Sequence, residues 1–417
     1  MRLRFLLLLL LALASCARVP EGLPPERPII VRVAVAFNAS ESWTRCSQRC
    51  TISPLSGQRG VEVGKGAPVV FRVSEKRVEA FIRGRQILSG QCLRLAGLGR
   101  KGRIRLGGSE YRGGLEVFPS GDGLTVVNEL TLEDYVRGVL PAEMGRQPRG
   151  RIEALKAQAI AARSYALANM GRRSQYGFDF FGDIRDQAYC GAGRADRLSS
   201  KAVEETAGLV ATYEGRPISA FYCANCGGHT ASIQEVWDGP AVPYLQGVRD
   251  TLEGEDYSGG SCGGRWTETW TGEELRAILN GSLPEEVPGL GQLNIGLVRD
   301  LAVVDRSASG RVGALEIRTS EATYRVHKDD IRRVLLRRES GHPILRSTCF
   351  TLEVEHDGDG AVVRARAVGR GNGHGVGMCQ SGALGMADRG YTAQEILKHY
   401  YQGIEITRWP SRTPGGL

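Results

Sequence analysis

Glu143 lies in Leu140-Pro141-Ala142-Glu143-Met144, on a bend expected between two helices and flanked by apolar residues. Such neighbours disfavour the charged carboxylate and raise its pKa, which suits a general acid working near neutral pH. The competing role is a carboxylate that meets the dipole of the next helix. His374 sits in Gly371-Asn372-Gly373-His374-Gly375-Val376-Gly377-Met378-Cys379-Gln380. Glycines on both sides let a substrate or a second backbone approach the imidazole, the pattern of a binding or catalytic loop. The Lys and Ser/Thr of a phosphate loop are missing from it. No serine stands in a nucleophile-elbow pattern, and spacing does not support a Cys379 and His374 pair.

The chain has ten cysteines. Cys223-Ala-Asn-Cys226 has the two-residue spacing of a zinc knuckle, and His229 follows closely. Cys190 and Cys262 are the other two sulfurs that would close a tetrahedral site, although they are single and distant. In an oxidising compartment disulfides are the alternative, with connectivity undetermined, and both readings stay open.

The elements that must position these groups change period along the chain. From Ile29 to about Asn128, short apolar alternations broken by glycine read as strands: Ile30 to Val35, Val69 to Val73, Leu124 to Val127. Thr131-Leu132-Glu133-Asp134 resembles a capping box opening a short helix that Pro141 should stop. Arg151 to Met170 reads as the strongest helix, with Ile152, Leu155, Ala159, Ala162 and Ala166 on one face and Gly171 at a left-handed cap. Ala202 to Thr212 reads as a helix entering a strand, and Ile218 to Tyr222 as a buried strand. Residues 239–265 read as a long surface loop. Beyond it come strand-like stretches at 301–304, 314–319 and 350–355, a basic helix at 330–338, and two closing helices from Gln380 and Ala393. The expected fold class is α+β.

Length, 417 residues, permits two or three domains, and 41% hydrophobic against 24% charged residues excludes a chain disordered throughout. Lys+Arg 54 against Asp+Glu 46 leaves a formal +8 spread along the chain, which is not a nucleic-acid signature. Arg2 and Arg4 precede an apolar run from Phe5 to Ala14, too short to span a bilayer but suited to a signal peptide. Its end, Leu13-Ala14-Ser15-Cys16, resembles a bacterial lipobox, which implies lipidation at Cys16 and a body anchored to the cell envelope; ordinary cleavage after a small residue nearby is the alternative, and both place the body outside the cytoplasm. Ala17 gives no inner-membrane retention signal, so in a cell with two membranes the outer one is expected.

Three long stretches then carry a family resemblance: Tyr111-Arg112-Gly113-Gly114, Val127 to Met144, and Glu153 to Leu167. With Asp186-Gln187-Ala188-Tyr189, Cys226-Gly227-Gly228-His229-Thr230, Gly373 to Met378, Gln380, Gly382-Ala383 and His399-Tyr400-Tyr401, the chain resembles the SpoIID/LytB family, stage II sporulation protein D and amidase enhancer, over about Ile29 to Ile406. The resemblance implies a SpoIID-like body with a β-rich N-terminal region (29–128) and a catalytic domain (129–406) that is helical at its centre and mixed toward its C-terminus. These would follow a signal peptide (1–16) and a linker (17–28). It also implies a lytic transglycosylase acting on peptidoglycan glycan strands, preferably stripped of stem peptides, with Glu143 as single acid and base and no cofactor required for catalysis. A cell-wall amidase is the expected protein partner, and a noncatalytic amidase enhancer is the alternative. Gln158, Arg163, Tyr165, His374 and Gln380 are the motif residues expected to hold sugar, each equally able to serve as a structural partner. The zinc set, where a metal is bound, is expected to be drawn from Cys190, Cys223, Cys226, Cys262 and His229. Asn372, Cys379 and Ser381 stand where the family usually has Trp, Ser and Tyr.

Overall fold

A computed structural model describes residues 28–409 apart from 58, 98, 100, 253, 258–263, 288, 292–293 and 338–342. The expected signal segment, Cys16 and Cys262 lie outside the described residues.

Alternation of buried and exposed side chains builds the N-terminal region, as in Glu41–Cys46, where every second residue is buried. A six-stranded sheet containing this strand faces a seven-stranded sheet that includes the antiparallel pair Ile30–Ala39 and Gly123–Thr131 and has Gly114–Ser120 at its middle. Val31, Val33, Leu93, Leu95, Leu115 and Val117 from one sheet share a core with Val69, Phe71, Val78 and Ile104 from the other. Gly123–Thr131 is buried on nearly every residue, because the aromatic cluster of Phe178 and Phe181 covers its second face at Val127.

That strand runs directly into α1 (Leu132–Met144), where Thr131 Oγ1 accepts the Asp134 main-chain N–H at 3.2 Å. The helix does not stop at Pro141 as expected from sequence. It continues through the buried proline and ends at Gly145, whose φ of 61° is the left-handed region. A proline inside a helix forfeits a hydrogen bond at roughly 3 kcal/mol. Burial of Leu140, Pro141 and Met144 around it offsets that loss.

The helix α2 (Ile152–Asn169) is not buried along one stripe but almost all round: Ala154, Ala157, Ala161 and Ala162 are as inaccessible as Leu155 and Ile160. Small side chains let α1, α3 (Arg197–Glu205), the strand Leu209–Tyr213 and the two C-terminal helices pack against its backbone together. The short α4 (Ile233–Val236) follows the cysteine loop. Ile218 to Tyr222 forms no continuous strand; only Tyr222–Cys223 pairs, in parallel, with Met378–Cys379. Residues 239–265 are not all surface, since Leu245, Asp250 and Tyr257 are buried.

Within the stretch expected as one catalytic body, residues 265–370 carry a core of their own. Strand Arg265–Thr271 leads into α5 (Gly272–Glu286), and Trp270, Leu275, Leu279 and Leu283 pack with Leu315, Ile317, Val326 and α6 (Asp330–Val334). Two three-stranded antiparallel sheets frame that core. The chain then returns to the central body through the glycine-rich loop, α7 (Gln380–Asp388) and α8 (Ala393–Tyr400). Helices and sheets together make the expected α+β fold.

Candidate active site

The last turn of α1 carries Glu143 to the turn that follows Phe180–Phe181. Gly138, one α1 turn earlier, makes that meeting possible: a Cβ there would lie 2.3 Å from Tyr189 Cε2 and 2.8 Å from Gly191 O. With no side chain in the way, Cys190 N donates to Gly138 O at 3.3 Å and Ala188 N donates to Glu143 Oε1 at 2.7 Å. The turn is fixed from behind. Asp186 pairs with Arg173 at 3.1 Å and accepts the Phe181 N–H, while Tyr189 Oη donates to Asn128 at 2.7 Å.

Gln380, first residue of α7, places Nε2 3.5 Å from Glu143 Oε2 and 3.4 Å from Gln158 Oε1. Gln158 is fully buried, and its own Nε2 has no partner. Tyr222 donates to Gln187 Oε1 at 2.8 Å, and Gln187 in turn donates to Tyr135 Oη at 3.1 Å. Among the described residues, Glu143 therefore stands among neutral hydrogen-bond donors, and no guanidinium takes part in its hydrogen bonds. Burial raises its pKa above the ordinary 4.5, against the opposing hydrogen bonds from Ala188 N, Gln380 and Tyr222. A half-buried carboxyl in this setting can hold a proton for delivery.

The other expected residues fall into two groups. Gln380 reaches Glu143, and Gln158 meets Gln380 behind it. Arg163, 1% exposed, does not: it binds Glu133 with both ends of its guanidinium, at 2.9 and 2.8 Å, and donates to Leu209 O at 3.0 Å. Glu133 lies ten residues before Glu143, about 15 Å away along the helix axis at 1.5 Å per residue. Tyr165 is buried between Phe180 and Phe221, and its hydroxyl accepts from Arg172 at 3.3 Å. His374 packs against Trp237 with ring centroids 4.9 Å apart and the planes tilted by 44°, and its Nδ1 accepts the Val376 N–H at 3.0 Å. Burial pushes that imidazole down to about 4, so it is neutral at neutral pH.

The glycines around His374 admit the protein's own chain. Gly371, Gly373, Gly375 and Gly377 all have positive φ, and a Cβ would meet Cys223 at Gly373, Arg311 at Gly375 and the Phe221 carbonyl at Gly377. The loop is thereby stitched to the 221–231 segment, with bridges at Asn225 to Asn372 and Ala231 to Val376.

Of the expected metal set, Cys262 lies outside the described residues, and Cys190, Cys223, Cys226 and His229 do not converge as a group. Cys190 Sγ donates to Gly138 O at 3.2 Å, and His229 Nδ1 meets Thr230 O at 2.6 Å. Among the described residues, the side chains that come together in metal-like geometry are Cys226, Asp250 and Cys379. Tyr222 and Gln187 were missed as site residues. Both lie inside or beside the family motifs, and a tyrosine directly before the cysteine pair was the available signal.

Two cavities, of about 410 and 310 Å³, are not lined by Glu143 itself. The larger borders Gly182, Asp183, Arg185 and Tyr189, on the turn that supplies the Ala188 N–H.

A family model described as stage II sporulation protein matches residues 120–213, the span that holds α1, α2 and Glu143. A second, a domain of unknown function, matches residues 253–377, which include the body with its own core. An uncharacterized protein of Brachyspira hyodysenteriae is 36% identical over 303 residues, covering 72% of this chain and 73% of that one. Stage II sporulation protein D of Bacillus amyloliquefaciens is 29% identical over 299 residues, covering 67% of this chain and 75% of that protein. The amidase enhancer of Bacillus subtilis is 29% identical over 301 residues, covering 66% of this chain and 40% of the enhancer. With the family model, the motifs and the relatives in agreement, the chain belongs to the SpoIID/LytB family. Among the described residues no helix is long and apolar enough to cross a membrane.

Proposed function

We propose that the protein is a lytic transglycosylase of peptidoglycan glycan strands, with Glu143 as its single acid and base. The observation that carries this reading is the carboxyl itself: raised by burial, held by neutral donors at 2.7 and 3.5 Å, and set in the motif that the family resemblance assigns to catalysis. Ordinary glycosidases need a second carboxyl for a nucleophile or a base. A transglycosylase does not. Protonated Glu143 gives its proton to the glycosidic oxygen as the C1–O bond breaks, and an oxocarbenium-like centre forms. The C6 hydroxyl of the same muramic acid attacks C1, and the Glu143 carboxylate takes that hydroxyl's proton. A 1,6-anhydro end results, no water is consumed, and the acid is restored for the next turn.

Gln380, Gln158 and the Ala188 N–H would orient the carboxyl, with sugar rings approaching from the side left open to solvent. The lipid anchor at Cys16 and glycan strands denuded by an amidase complete the proposal, which sets the protein at the envelope surface. Glu143→Gln, digested against stripped strands and read by mass spectrometry, should keep the fold and lose anhydro products by 100-fold or more. Undiminished anhydro product in that variant would reject the reading.

The likeness to an amidase enhancer favours a second reading, in which the protein binds glycan and stimulates a separate amidase. Wild type that raises amidase turnover but forms no anhydro ends by itself would select it.

A further inference from the structure

Cys46 and Cys50 lie in the N-terminal region, outside the candidate active site, and both are 2% exposed. Cys46 closes the strand Glu41–Cys46 of the six-stranded sheet, and Cys50 opens the strand Cys50–Pro54 of the seven-stranded sheet. Burial alternates along both strands, and in each the cysteine falls in the inward set, so the two side chains enter one core from opposite sheets. Main-chain pairing brings them to the same corner. Cys50 stands opposite Val63, and three residues further along Gly66 donates its N–H to Cys46 O at 2.8 Å. The two thiols hydrogen-bond to each other, which holds Cys50 below the ordinary 9.0 and pushes Cys46 up. Both are free thiols in this structure.

We propose that Cys46 and Cys50 are joined by a disulfide that ties the two sheets of the N-terminal region together at this corner. Sequence alone gives these two no partner; their shared core and mutual hydrogen bond do. The oxidant is a disulfide, carried by a small molecule such as oxidised glutathione or by an oxidoreductase. Cys50, the more easily ionised thiol, attacks one sulfur of that disulfide and expels the other as a thiolate. Cys46 then attacks the Cys50 sulfur and expels the remaining thiolate. Two electrons pass to the oxidant, the two cysteine protons end on its thiols, and one S–S bond is exchanged for another. Both sulfurs are buried in the finished fold, so the exchange belongs to folding, before the short edge strand Val61–Val63 closes beside Cys50. A bond of about 2.05 Å then replaces the thiol contact. It braces the sheet whose strand Gly123–Thr131 runs into α1 and so toward Glu143.

Arg49 lies between the two cysteines, so trypsin separates them unless a bond holds them together. The test uses the full chain, refolded from the reduced state with reduced and oxidised glutathione, which removes any dependence on the compartment in which the protein is made. Free thiols are alkylated in denaturant, and the digest is mapped by mass without reductant. Peptides Cys46–Arg49 and Cys50–Arg59 should appear as one species two hydrogens lighter than their sum, and reductant should split it. Cys92→Ala should leave that species in place. Reduction should lower the melting temperature of wild type by at least about 3 °C more than that of the double variant Cys46→Ala, Cys50→Ala. The proposal fails if both cysteines carry the alkylating label, if either is linked to a different cysteine, or if reduction shifts wild type and the double variant equally. Should the double variant not fold, peptide mapping of wild type decides alone. None of these readouts uses glycan, so the disulfide stands or falls apart from the transglycosylase reading.

Discussion

The main-chain N–H of Ala188 donates to Glu143 Oε1 at 2.7 Å, and among the described residues no cationic side chain hydrogen-bonds to that carboxyl. One backbone donor fixes the carboxyl's direction, while burial keeps its pKa above the ordinary 4.5. An arginine at that place would hold the carboxyl ionised and remove its capacity to deliver a proton.

Activity that needs the protonated acid should fall as pH rises through the raised Glu143 pKa. Tyr222 lowers that pKa by hydrogen bonding, so Tyr222→Phe should move the alkaline limb of kcat/KM to higher pH. The sign for stability agrees: a raised carboxyl stabilises the fold below about 4.5 and loses that contribution as pH climbs through the folded value. Glu143→Gln should flatten this part of the stability profile. An unmoved limb in Tyr222→Phe would separate Tyr222 from the acid.

Gly138→Ala places a methyl group where Tyr189 and Gly191 O now stand. Overpacking of this kind costs about 1–3 kcal/mol, and the turn bearing Ala188 must retreat. Thermal melts should show the destabilisation, and anhydro-product formation should drop at least tenfold at a temperature where the variant is folded. Full activity would mean that the Ala188 contact does not position the acid.

Arg163→Met leaves Glu133 without its bidentate partner inside the central body. The loss should be about 2–4 kcal/mol, below the limit for a wholly buried pair because Glu133 is one-third exposed. At temperatures where the variant is folded, KM for glycan should match wild type. A raised KM with unchanged melting would instead make Arg163 a substrate ligand.

His374 gives the opposite pH signature. Its imidazole drops from 6.5 to about 4 on folding, so stability present above 6.5 is lost as pH falls toward 4. The slope is at most about 1.4 kcal/mol per pH unit for one proton. Melting temperatures of wild type and His374→Phe between those limits should diverge in this direction, and parallel curves would argue against a buried neutral ring.

How far sequence reached is visible residue by residue. Glu143, the Thr131 cap and Gly171 in its left-handed turn follow from local rules, because a cap, a positive φ and a desolvated carboxyl each depend on a few neighbours. Pro141 did not end its helix, since burial of the surrounding side chains outweighs one lost hydrogen bond. A hydrophobic stripe was expected on α2, yet alanines pack on every side, and no period can announce how many neighbours a helix will receive. Arg163 and Tyr165 lie in the same motif as Gln158 but turn to other partners, which sequence spacing alone could not separate. The separate core around Trp270 was illegible for the same reason: its strands look like those of the rest of the chain, and only their mutual contacts set them apart.

Glu143 and Gln380 are 237 residues apart along the chain. Synthesis from the N-terminus presents the acid early and its carboxamide neighbour almost last, so a product truncated before α7 carries the carboxyl without its setting. On the transglycosylase reading, the capacity to cut glycan arises only once nearly all of the polypeptide has folded, a delay built into the order of the chain.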